Sequence, residues 1–317
     1  DEEIMPATLS PELINGLLRG RLGFNGMIIT DSSTMAGMCI AMDRRKAVPY
    51  SIASGCDMFL FTKNLDEDYS FMEDGIDKGI LTPERLNEAV MRILGLKAAL
   101  HLPEKKADST IFADMKKAGE IIGCDKYKKI EKDCADKGIT LVKDKQNLIP
   151  LSPEKFKRIL LYPLKSGESA FGSGGGEDIG SIFSEALHRE GFIVDIFKGG
   201  KGFEGMAEPF AEVTEKYDLI IYAANLITKS NQTTVRIEWE NPMGVNCPLY
   251  QAVVPTIFIS FANPYHLIDV PRIRTYINAY KFKDETVRAV IDKLMGRSRF
   301  KGKSPVDAFC GKWDARL

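Results

Sequence analysis

The stretch GFNGMIITDSSTM, Gly23 to Met35, decides the architecture of the first third of the chain. Gly23 and Gly26 bracket a turn, MIIT is a short apolar strand, and Asp31 follows it directly with Ser32, Ser33 and Thr34 behind. A continuous apolar run of this length, bounded by turn residues, fits a strand buried on both faces in a parallel sheet. In parallel α/β architecture, binding and catalytic groups gather where strands end at their carboxyl edge. Asp31 stands at that edge. The hydroxyl residues after it can hydrogen-bond the carboxylate and keep it ionised, or act as cap residues for the next helix.

Working outward, SPELINGLLRGRLG reads as a helix, with Ser10 as N-cap, Pro11 at the first position and an apolar face of Leu13, Ile14, Leu17 and Leu18. RRKAVPYSIASG is the next helix, with Pro49 a weak point in it, and CDMFLF is the next strand. SFMEDGIDKG and LTPERLNEAVMRILGLKAAL read as helices. The second has Thr82 as cap, Pro83 at the first position, an apolar face through Leu86, Val90, Ile93, Leu94 and Leu100, and Lys97 on the solvent side. Residues 10–100 thus alternate helix, strand, helix, strand, helix, the pattern of parallel strands covered on both faces. Two strands do not make a stable parallel sheet, so this piece calls for neighbours that the chain does not supply.

HLPEKKADSTIFADMKKAGE is polar and charge-rich and reads as connecting sequence. DKYKKIEKDCADKGITLV is a helix leading into a second domain, whose strands are RILLYPL, FIVDIF, DLIIYAA, TIFISFA and TYINAY. IGSIFSEALHREG and DETVRAVIDKLMG are helices of that domain, and TKSNQTTVRIEWENPMG is a polar surface crossing. The expected organisation is a barrel piece over 1–108, a linker over 109–126 and an α/β sandwich over 127–317.

The bulk numbers are those of a soluble globular protein: 44% hydrophobic and 27% charged residues in 317, with 43 Lys+Arg against 44 Asp+Glu. That balance gives no electrostatic reason to expect nucleic acid or an anionic membrane as partner. No apolar run approaches the roughly 20 residues of a membrane span. The six cysteines show no C-x-x-C and no metal-ligand spacing with the three histidines. They read as free thiols, which points to a reducing, cytoplasmic compartment. DEEIMPATLS carries no secretory signature and reads as the interior of a longer protein.

From spacing alone, Asp31 can attack a sugar anomeric carbon, bind a sugar hydroxyl, ligate a metal or cap a helix. Together, PATLS followed by a helix, LLRGRLGFNGMIITDSSTM and SIASGCDMFLF resemble the last quarter of a glycoside hydrolase family 3 barrel, nearest its β-N-acetylglucosaminidase branch. VPTIFISFANPYHLIDVPRIRTYINAY and GRSRFKGKSPV are similar to the C-terminal sandwich domain of the same family. The resemblance implies an incomplete (β/α)8 TIM-barrel remnant followed by a three-layer α/β sandwich. It implies a retaining glycosidase on β-linked sugars, of the N-acetylhexosaminide kind, with Asp31 as nucleophile and Met35 lining the sugar site. No metal or organic cofactor is implied. The partners it implies are a carbohydrate substrate and either a separate polypeptide carrying the first barrel strands or a second copy of the chain.

The chain departs from that family in one respect. A retaining glycosidase needs a second group that transfers protons near the nucleophile. In the N-acetylglucosaminidase branch this resembles a His–Asp dyad near a KHFPGHG-type stretch, and no such stretch occurs here. In the glucosidase branch it is a Glu on the second domain, for which Glu238 and Glu240 are the candidates. The chain alone is then either a catalytically incomplete fragment or an interaction module. Two further motifs have bland readings. FGSGGGEDIG, Phe171 to Gly180, opens a helix after a strand; it is a flexible turn or an anion cradle, without the lysine of a phosphate-binding loop. His266 and Asp269 in NPYHLID form a pair that reads as a structural turn.

Overall fold

The computed structural model describes residues 4–165, 178–199, 209–228, 236–239 and 244–317. The chain divides into two compact units, Asp1–Gly119 and Glu120–Leu317.

After a 3₁₀ turn at Ala7–Leu9, the first unit forms a wide-turned π-type helix, Glu12–Arg21, in which the Leu22 N–H reaches back five residues to the Leu17 carbonyl. Ser10 Oγ accepts from the Leu13 N–H at 3.3 Å, so the expected cap is in place. Helices α1 (Ala36–Ala41), α2 (Arg44–Ala53), α3 (Leu65–Asp77), α4 (Pro83–Ala99) and α5 (Leu102–Ala107) follow. α2 runs unbroken through Pro49, which is buried. The Pro49 ring lies where a side chain at Gly75 of α3 would stand, so the glycine sets how closely α2 and α3 pack. α3 begins five residues before the expected start. Asn64 caps it by accepting from the Glu67 N–H at 3.0 Å, and Asp66, Glu67 and Asp68 fill its first turn, where the helix dipole favours them.

MIIT and CDMFLF run side by side, with a parallel bridge between Ile29 and Met58. The described residues of this unit show that one parallel pair with its helices; they do not close a barrel. The expected apolar faces are largely open as a result. In the π-type helix only Ile14 is buried, and in α4 only Ala89 is, with Val90 41% and Leu94 51% exposed. MIIT and CDMFLF, expected as strands, are extended segments joined by an isolated bridge, and they offer too little sheet to cover these faces. The stretch expected to be a linker holds α6, Met115–Ile121, and the start of α7, Asp125–Gly138.

The second unit is built on a six-stranded sheet: β1 (Thr140–Asp144), β2 (Arg158–Lys165), β3 (Ile193–Ile196), β4 (Leu219–Asn225), β5 (Thr256–Ser260) and β6 (Thr275–Asn278), ordered β1-β6-β5-β4-β2-β3. All pairs are parallel except β1 with β6. β1 is a correction to the sequence reading, which ran the preceding helix through it; Gly138 ends that helix.

The strands alternate faces strictly. Ile159, Leu161, Ile221, Ile257, Ile259 and Ile277 meet α8 (Ile179–Arg189) and α10 (Asp284–Leu294), whose Phe183, Leu187, Val290 and Leu294 are buried. On the other face Tyr162, Tyr222, Phe258 and Tyr276 stand in register on four neighbouring strands. Their rings stack in a row at centroid distances of 4.6, 5.8 and 5.4 Å. Short segments rather than long helices cover this row: Val213 of α9 (Phe210–Thr214), Leu226, Val254, Leu267 and Ile273. Ile237, expected on a polar surface loop, is buried there too. The result is an α/β sandwich with an irregular third layer. Gly302 passes so close to the Gly138 and Ile139 carbonyls that any side chain would collide with backbone.

Candidate active site

The parallel pair in the first unit is anchored at its amino end by Asp57, which is buried. Oδ2 accepts from Arg19 at 2.6 Å and the Ile28 N–H at 2.9 Å; Oδ1 accepts from Arg85 at 2.5 Å and Arg92 at 3.3 Å. Burial by itself would raise this carboxyl, but the Ile28 N–H and the Arg85 and Arg19 guanidiniums outweigh it and hold it below the usual carboxylate range. Between anchor and edge, the Thr30 N–H donates to the Met58 carbonyl at 3.0 Å, and Thr30 Oγ1 accepts from the Leu60 N–H at 3.0 Å.

Asp31 lies at the carboxyl edge and is exposed. Its Oδ1 accepts from the Ser32 N–H at 2.7 Å, and Oδ2 carries no hydrogen bond among the described residues. It is not the cap of the following helix. α1 starts behind Met35, whose N–H donates to the Ser32 carbonyl at 3.1 Å and whose side chain is half-buried. The capping option left open by spacing is thereby removed, and the carboxylate keeps one oxygen held and one open.

The hydroxyls after Asp31 do not turn to it. Ser32 Oγ donates to the Phe61 carbonyl at 3.0 Å and shares a hydrogen bond with Thr34 Oγ1 at 2.8 Å. Buried Ser33 donates through Oγ to Asp68 Oδ2 at 2.8 Å and accepts from the Lys63 N–H at 2.7 Å. Arg44 donates to Asp68 Oδ1 through Nε at 3.1 Å and Nη2 at 2.7 Å, and to Glu67 at 2.8 Å. Partial desolvation works against the Arg44 charge, but its bonds to Glu67 and Asp68 outweigh that and raise its pKa. Sequence reasoning passed over Arg44, Asp57 and Asp68. The Asn64-to-Glu67 spacing, a capping signature, could have revealed that α3 begins early enough to hold Asp68.

The other sequence candidates lie in the second unit. Glu238 is exposed, and Glu240 lies outside the described residues. His266 is fully buried on a short turn, with Nδ1 3.2 Å from Asp269 Oδ2, and Asp269 in turn pairs with Arg236. Of the glycine-rich stretch, 171–177 lie outside the described residues. Asp178 itself caps α8, with Oδ1 accepting from the Gly180 N–H at 3.1 Å and Oδ2 from Ser181 Oγ at 2.6 Å. A carboxylate of the chain thus occupies the helix end where an anion would bind. Among the described residues, no three His, Cys, Asp or Glu side chains are grouped to hold a metal. No helix among them is long and apolar enough to cross a membrane.

The first unit thus presents an exposed carboxylate at the end of an extended segment, and the second is an α/β sandwich. Residues 1–96 match the family described as glycosyl hydrolase family 3, N-terminal domain. A protein of Cellulomonas fimi named beta-N-acetylglucosaminidase/beta-glucosidase is 49% identical over 317 residues, 100% of this chain and 55% of that protein. The solved structure of a beta-glucoside phosphorylase, BglX, is 47% identical with a TM-score of 0.81, covering 100% of this chain and 55% of that one. A family 3 beta-N-acetylglucosaminidase from Paenibacillus sp. str. FPU-7 shares the fold at 20% identity and a TM-score of 0.68, over 97% of this chain and 56% of that one. The chain belongs to glycoside hydrolase family 3. It spans about half the length of these relatives.

Proposed function

We propose that the whole protein is a retaining enzyme of β-linked sugars in which Asp31 is the nucleophile and the first unit is the closing part of a (β/α)8 barrel. The observation that carries this is the Asp31 carboxylate: exposed at a strand's carboxyl edge, with Oδ1 held by the Ser32 N–H and Oδ2 open. Oδ2 attacks the anomeric carbon, and its bond to that carbon forms as the bond to the leaving oxygen breaks. An acid/base protonates that oxygen, one outside this chain on the N-acetylglucosaminide reading and Glu238 or Glu240 on the glucoside reading, and the sugar remains on Asp31 as a covalent ester. Met35, at the start of α1 beside the loop, lines the sugar site. The open apolar faces of the π-type helix and α4 are covered by the rest of the barrel.

The sugar is an N-acetylglucosaminide or a glucoside, the two named for the C. fimi relative. A second reading concerns the acceptor that releases the sugar. Water gives hydrolysis, and inorganic phosphate gives a glycosyl phosphate. The 47% identity to a beta-glucoside phosphorylase supports the phosphate reading, and the 49% identity to the C. fimi protein, named as a glycosidase, supports the water reading. One experiment tests both. The whole protein is given nitrophenyl β-N-acetylglucosaminide or β-glucoside, with and without phosphate, beside its Asp31→Ala variant. Loss of nitrophenol release in the variant supports the nucleophile, and a sugar 1-phosphate product decides the acceptor. Undiminished release by the variant overturns the assignment.

A further inference from the structure

We propose that Ser33 and Asp68, with Arg44 behind them, are positioning residues that hold Asp31 in attack geometry; this rests on the reading of Asp31 as nucleophile. Ser33 is two residues beyond Asp31 and has no exposure to solvent. Its hydroxyl donates its one proton to Asp68 Oδ2 and accepts from the Lys63 N–H, which orients it. Its backbone N–H donates to the Phe61 carbonyl at 3.1 Å, the same carbonyl that takes Ser32 Oγ. The loop after Asp31 is therefore tied three times to the loop after the neighbouring strand.

Both ends of that tie are special. Phe61 holds its carbonyl in place from a backbone φ of +50°, a conformation that a bulky side chain rarely adopts and that clusters at functional sites. Asp68 is 3% exposed, yet it is a carboxylate. Its Oδ1 accepts from two Arg44 donors while Oδ2 is left for Ser33. Arg44 is itself steadied by Glu67 and by the Phe71 ring, 5.3 Å from its guanidinium. A buried ion pair that spends one carboxylate oxygen on the loop carrying the nucleophile is explained by a need for precise placement, since a shift of about 1 Å at a reacting group costs about 10²-fold in rate.

The test uses the whole protein and a slow fluorinated β-glycoside with a good leaving group, which accumulates the glycosyl-enzyme. The variants are Ser33→Ala and Asp68→Asn, with Arg44→Lys as a second route to the same network should either fail to fold. The expected result is a label on Asp31 in all proteins, formed about 10- to 100-fold more slowly in the variants. Substrate kcat falls in parallel and KM stays within about threefold, because the sugar contacts are intact. A merely structural network would lower the melting temperature and leave the labelling rate per folded molecule unchanged, which overturns the proposal. A label on a residue other than Asp31 overturns the nucleophile reading, and this inference with it.

Discussion

Arg85 donates to Asp57 Oδ1 at 2.5 Å, opposite Arg19 at 2.6 Å on Oδ2, so one buried carboxylate ties the π-type helix, both strands and α4 together. Removing the charge leaves three guanidiniums around a neutral group. Asp57→Asn is expected to destabilise the protein by about 3–5 kcal/mol, the cost of stranding one side of a buried ion pair. Denaturant unfolding of the two proteins measures it; a difference under about 1 kcal/mol would contradict the anchoring role.

The same carboxylate predicts a pH dependence. Its folded pKa lies below the unfolded value of about 3.9, so its stabilisation is fully present above that value. The stabilisation is lost as pH falls through the lower, folded value. Unfolding midpoints between pH 6 and pH 2 are expected to drop below about pH 4 in the parent. Asp57→Asn is expected to flatten that limb of the profile.

In the second unit the aromatic row carries the sheet's outer face. Tyr222 stacks between Tyr162 and Phe258, and its hydroxyl donates to the Cys247 carbonyl at 3.0 Å. Tyr222→Phe is expected to cost about 1 kcal/mol, one hydrogen bond. Tyr222→Ala is expected to cost about 3–5 kcal/mol, since it opens a cavity in the middle of the row. Equal losses from the two variants would mean that the hydroxyl, not the stack, holds this face.

The open face of α4 tests the proposed barrel. Leu94→Glu is expected to change the stability of this 317-residue chain by no more than about 0.5 kcal/mol, because Leu94 is half exposed in it. In the whole protein the same substitution is expected to cost about 2–5 kcal/mol, as for a buried leucine. A small effect in both would mean that nothing covers this face.

These particulars show where the sequence was readable. Strands β2 to β6 were legible because each centres on apolar or aromatic residues, broken only by Asp195 in β3, and α8 and α10 because their apolar positions recur at helical spacing. β1 was not, because TLVKD carries Lys143 and Asp144 and follows a charged helix with only Gly138 as a break. Lys143 is buried all the same, donating to the Pro271 and Ala315 carbonyls. Asp31 at a strand end was legible from MIITD alone. Ser33's tie to Asp68 was not, because the two residues lie 35 positions apart and meet only in the folded chain, which no local pattern encodes. The apolar faces of the π-type helix and α4 were read correctly as apolar; their exposure follows from the number of strands beside them.

The central claim is that Asp31 forms the covalent bond to the sugar. The most direct measurement is peptide mass analysis of the whole protein after inactivation by a 2-fluoro β-glucoside or a 5-fluoro β-N-acetylglucosaminide. The account predicts one added sugar on the peptide containing MIITDSSTM, located at Asp31 and absent from Asp31→Ala. A sugar attached elsewhere, or full turnover by Asp31→Ala, would contradict it.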